Sequence, residues 1–142
     1  MNLKQPDYEF LEHTADLGII VRGSDIQNLF ETAAMALMHI LVKGHSDKAP
    51  VCSPLSVSAD DTDDLMVRWL SEILYLLEGE EMVVTRVKIP KIYPSRLEAS
   101  IEKVPFDSDV HEIQCEIKAV TYHQINVSQI EGHWQARIIF DV

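Results

Sequence analysis

Glu12-His13-Thr14-Ala15-Asp16-Leu17-Gly18-Ile19-Ile20-Val21-Arg22 sets a polar break directly against an apolar run. Leu17, Ile19 and Val21 alternate with Gly18, Ile20 and Arg22, the period-two pattern of a strand with one buried face. Upstream, Tyr8 to Leu11 reads as a shorter strand, so residues 12–16 connect two strands. Downstream the period changes. Arg22-Gly23 makes a turn, Ser24-Asp25-Ile26-Gln27 has the form of a capping box, and apolar residues then recur at helical spacing from Ile26 to Leu41. The first helix is predicted to reach about Val42, with Gly44 just beyond as a stop signal.

The same reading extends along the chain. Val51 to Ala59 is strand-like, with Pro54 marking an edge or a bulge. Asp60-Asp61-Thr62-Asp63-Asp64 precedes a second helix, in which Leu65, Met66, Trp69, Leu70, Ile73, Leu74 and Leu77 draw one wide apolar stripe. Met82 to Ile89 and Arg96 to Lys103 are predicted strands, separated by a loop or kinked hairpin at Pro90 and Pro94. Ile113 to Tyr122 and Trp134 to Asp141 alternate as two more. Two helices among seven or eight strands with short connections give an α+β fold, mostly antiparallel, in one domain over residues 1–142.

The 142 residues suffice for a sizeable core. A net charge of −11 repels phosphate backbones, so no direct sequence-specific nucleic-acid binding is expected; it suits a basic protein partner or divalent cations. Cys52 and Cys115 lack C-x-x-C spacing and fall in predicted strands, where buried free thiols fit a reducing compartment. The first residues have no apolar core of a signal peptide, and no run approaches the length of a membrane span. A cytoplasmic protein with no membrane contact is expected.

Catalytic motifs are scarce. The six histidines show no zinc spacing, and there is no G-x-S-x-G, Walker loop or G-x-G-x-x-G. His39 reads as a packing histidine. The acids at residues 60–64 approach a calcium loop, yet Leu65 stands where the invariant glycine belongs, and capping of the second helix explains them more simply. Arg86, Lys88, Lys91 and Arg96 form a basic patch whose simplest use is guarding a strand edge. Asp16 begins one strand and Asp141 ends another. As antiparallel neighbours, those strands would bring both carboxylates to one sheet edge, beside the α-carboxylate of Val142. Three hard oxygen donors suit Ca²⁺ or Mg²⁺ better than Zn²⁺, although isolated aspartates are commonly plain surface residues.

His13-Thr14-Ala15-Asp16 with Gly18, Leu29-Phe30-Glu31 with Ala33-Ala34, Leu70 to Tyr75, Lys118-Ala119-Val120-Thr121-Tyr122-His123 and Ile139-Phe140-Asp141-Val142 occur in that order. Together they resemble the archease family over nearly the whole chain. One departure is Lys103-Val104, where the family often carries a Gly-Glu pair. The resemblance implies a small α+β protein that is not itself an enzyme. It would activate the GTP-dependent tRNA-splicing RNA ligase by promoting guanylylation and multiple turnover. It also implies a metal site at Asp16, Asp141 and Val142, holding a divalent ion such as Ca²⁺, with Mg²⁺ or Mn²⁺ as alternatives. Lys118 and His123 would belong to a functional surface around that site, with His13 orienting the turn. A stand-alone metal-dependent hydrolase and a chaperone-like tRNA-modification accessory protein are the competing expectations.

Overall fold

Residues 5–12 and 15–142 are described by the computed structural model; His13 and Thr14 of the expected site lie outside them. β1 (Tyr8–Phe10) and β2 (Leu17–Gly23) form an antiparallel hairpin, closed by the Leu11 amide donating to Gly18 O at 2.8 Å. Helix α1 (Ile26–Leu41) begins one residue away from the predicted cap. Asp25, not Ser24, has the extended backbone of an N-cap, and its carboxylate accepts from the Asn28 amide at 2.7 Å. The Ser24 amide in turn donates to Asn28 Oδ1, so the reciprocal box runs through Asn28 and leaves Gln27 out. His39 is exposed on the helix surface, where it pairs with the Tyr8 hydroxyl at 2.8 Å.

The chain continues through β3 (Val42–Gly44), β4 (Val51–Ser58) and α2 (Thr62–Glu78). Next come β5 (Met82–Tyr93), β6 (Arg96–Pro105) and β7 (His111–Ile113). The chain closes with β8 (Ala119–Val120), β9 (Asn126–Ile130) and β10 (His133–Asp141). The largest sheet has the order β1-β2-β10-β8, with β9 also on β10; β4-β6-β5 and β3-β7 make the other two. Every strand pair among the described residues is antiparallel, as expected for an α+β domain with short connections.

Three expectations are corrected. β5 runs straight through Pro90, because a register shift between Lys88 and Lys91 removes the need for the missing N–H, and β5 is an edge strand. The alternating run from Ile113 to Tyr122 is not one strand. Its first residue pairs with β3 and its middle with β10, and residues 114–118 cross between the two sheets. The Gln114 amide donates to Leu41 O at one end of that crossing, and the Lys118 amide to Asp141 O at the other. Neither cysteine is buried: Cys52 points outward on β4, and Cys115 is half-buried in the crossing.

Both helices pack between the large sheet and the β4-β6-β5 sheet. α1 contacts β2 and β5, and α2 contacts β4, β5, β8 and β9. Phe30, Trp69, Ile19 and Phe140 are fully buried at the centre. The Trp69 indole N–H donates to Phe30 O at 2.9 Å, satisfying the one polar atom of the largest core side chain. That core fixes the inward faces of β2 and β10, and so fixes which ends of those strands meet.

Candidate functional site

β2 and β10 pair from Trp134 opposite Gly23 to Phe140 opposite Leu17. The same register carried one residue further sets Asp16 across from Asp141, both exposed at one end of the sheet. Ala136, Ile138 and Phe140 point into the core and anchor β10. On the other face, Ile139 is only 2% exposed, and a side chain added at Gly18 would touch both Ile139 and Leu11. Leu11 therefore lies over the sheet immediately before the 12–16 break. The acids stand at the rim of a sheet that is packed on both sides, which is how a strand end holds a carboxylate still.

The Lys118 segment joins them from the opposite edge of β10. Ala119 pairs with Asp141, and the Lys118 amide donates to Asp141 O at 2.7 Å. Asp16, Asp141, Lys118 and Val142 thus share one end of the fold. His123 sits in the exposed loop after β8, where its amide donates to Thr121 Oγ1, between Val120 opposite Phe140 and Asn126 opposite Arg137.

Residues 60–64 are used differently. Asp61 is the N-cap of α2 and accepts from the Asp64 amide at 2.8 Å. Asp63 Oδ1 accepts from the Val127 amide at 2.7 Å. Asp64, only 9% exposed, receives the Tyr122 hydroxyl at 2.6 Å, the Asp60 amide at 2.9 Å and Arg68 Nε at 2.9–3.0 Å. The Tyr122 hydrogen bond, followed by the Asp60 amide and Arg68, lowers its carboxyl to about 2. The helix-start reading holds, but the links to Tyr122 and Val127 were missed. Asp64 and Arg68 stand four apart on one helix face, the signal that something charged was paired there.

A surface groove of about 600 Å³ is lined by Arg22, Asn28, Glu31, Thr32 and His133 at the far end of β2 and β10. Asp16 and Asp141 lie at the opposite end, exposed. Among the described residues no three His, Cys, Asp or Glu side chains gather around a single point.

The Archease protein family (MTH1598/TM1083) model matches residues 8–142. The chain belongs to the archease family. It is 32% identical over 139 residues to a protein archease of Methanosarcina mazei, covering 95% of each chain. To a protein archease of Pyrococcus furiosus it is 34% identical over 141 residues, covering 95% of this chain and 98% of the other. The solution structure of Methanobacterium thermoautotrophicum protein 1598 superposes with a TM-score of 0.73 at 27% identity, covering 96% and 99% of the two chains. A Thermotoga maritima archease, described as a possible chaperone, has the same fold, with a TM-score of 0.63 at 19% identity and coverage of 100% and 99%. Archease membership, expected from the ordered motifs, therefore stands. No helix among the described residues is long and apolar enough to cross a membrane.

Proposed function

We propose that this archease acts on a protein partner, the GTP-dependent tRNA-splicing RNA ligase, and raises its guanylylation and turnover. The observation that carries this reading is the β2–β10 register, which sets two carboxylates at one exposed end of an archease fold. An exposed acidic strand end is suited to contact with a basic partner surface. Beside the 114–118 crossing, a groove of about 230 Å³ carries Glu78, Glu81 and Glu116 and no base. Together with the net charge of −11, this favours a basic partner.

Asp16, Asp141 and the Val142 carboxylate would hold the divalent ion, Ca²⁺ by donor type, with Mg²⁺ or Mn²⁺ as alternatives. When bound, such an ion supplies concentrated positive charge to phosphate oxygens. The chain's own share is positional. β10 fixes Asp141, pairing with β2 ends one residue before Asp16, and the Lys118 amide holds the main chain of Asp141. His13 and His123 belong to the proposed contact surface.

Multiple-turnover RNA ligation with and without this protein is the test. Asp16→Ala or Asp141→Ala should abolish the stimulation while leaving the circular dichroism spectrum unchanged. Full stimulation by both variants removes the acidic tip from the mechanism. A chaperone-like role is the second reading, favoured by the description of the Thermotoga maritima relative. Suppression of aggregation of unrelated proteins, without stimulation of the ligase, would select it.

A further inference from the structure

Lys118 and Thr121 flank a strand only two residues long, at the edge of its sheet. Besides the β8–β10 ladder, three hydrogen bonds tie the flanking residues to the end of β10: Lys118 N–H to Asp141 O, and the amide and hydroxyl of Thr121 to Ile139 O. An exposed edge pairing so short opens readily on its own. Val120 and, just before the segment, Ile117 are buried in the core, and the polar anchorage beyond β10 comes from the first turn of α2. Tyr122, 57% exposed, buries little of its ring, yet its hydroxyl donates to the nearly buried Asp64 carboxylate at 2.6 Å. Beyond the loop, Asp63 takes the Val127 amide. Asp61 already caps α2, so the helix start does not require a buried charge at Asp64. A buried carboxylate is costly unless saturated, and the partner that Asp64 reaches outside its own helix and cap is Tyr122.

We propose that Asp64 and Tyr122 are positioning residues, a fixed strut from α2 that holds the Lys118–His123 segment along β10 and so sets Lys118 and Asp141 at the acidic tip. This rests on the reading of that tip as the functional site. The strut keeps one form near neutrality, because its hydrogen bond holds the Asp64 carboxyl down and pushes the Tyr122 phenol up. It is a support and not a pH switch.

The decisive variant is Tyr122→Phe, which keeps the exposed ring and removes the hydroxyl; Asp64→Asn is the second. In ion-free protein, amide hydrogen exchange at Lys118 and Thr121 should accelerate about tenfold, with the amides of β6 unchanged. Half-saturation by Ca²⁺, read by calorimetry, should move to roughly tenfold higher concentration, with the smaller fall in melting temperature in Tyr122→Phe. Unchanged exchange at Lys118 and Thr121 in both variants overturns the proposal. So does equal acceleration of every amide, which would mark a merely structural bond, or faster exchange with unaltered Ca²⁺ affinity. If the wild-type protein fails to stimulate the ligase, the partner reading falls, while the exchange result still decides the strut.

Discussion

Two acidic regions of this chain look alike as sequence and are opposites in the fold. Residues 60–64 hold four aspartates in five positions, the denser and more metal-like cluster. Three of those carboxylates are committed, to the Asp64 amide, the Val127 amide, and the Tyr122–Arg68–Asp60 set. Asp16 and Asp141 are isolated in sequence and brought together by strand register. The Asp141 carboxylate accepts no hydrogen bond from any described residue. A dense acidic run at a helix start is consumed by the helix and its neighbours, whereas Asp141, alone at a strand end, accepts nothing from the described residues. Density of charge in the sequence is therefore a poor guide to which carboxylates the fold leaves uncommitted.

The largest test of this contrast is Asp141→Ala. Ca²⁺ affinity should fall at least about tenfold by calorimetry, while stability stays within about 0.5 kcal/mol because the side chain is exposed and carries no fold contact. A large loss of stability would break the comparison by making the tip structural.

Acid should next strike the committed region. The Asp64 carboxyl is depressed to about 2, so its stabilising share is complete above its unfolded value near 4 and is lost as pH falls from there through 2. His111 adds an earlier loss: burial lowers its pKa, and its Nδ1 accepts the Asp107 amide, so stability declines as pH drops below about 6.5. Melting temperature against pH would show two successive declines, the lower one absent in Asp64→Asn.

Asp61→Ala is the mirror image of the Asp141 variant. Losing the cap should cost about 1 kcal/mol, a fall of roughly 3–5 °C in melting temperature, with Ca²⁺ affinity untouched. Gly18→Ala should give the smallest effect. Its new Cβ would stand 2.8 Å from Ile139 Cδ1 and 2.9 Å from Leu11 Cδ1, both flexible ends that can rotate at about 0.5–1 kcal/mol. A several-fold loss of ion affinity alongside that small cost would tie sheet packing to the tip.

Where a residue's partners lie a few positions away, the sequence is legible. The stripe from Leu65 to Leu77 announces α2, and Leu17 to Gly23 announces β2, because periodicity is a local property. The cap of α1 was misplaced by one residue, since Ser24 and Asp25 are both good caps and only the turn geometry chooses. The run from Ile113 to Tyr122 misled for a deeper reason. Its alternation is real, but it serves two different sheets, and no local pattern records where a strand changes partner. The Asp64–Tyr122 strut was invisible in the same way: a helix start and a loop 58 positions later meet only when α2 is docked under β8 and β9.

By itself, then, the chain determines its helices, its longer strands, its acidic balance and, through its ordered motifs, its archease membership. Tertiary structure alone decides that the first hairpin and the last strand are neighbours and that Lys118 arrives beside Asp141. The physical reason is range. Helical and strand periods are set by backbone geometry over a few residues, whereas the tip is made by hydrogen-bond register between opposite ends of the chain. That register is imposed by the buried faces of Ile19, Ile138 and Phe140.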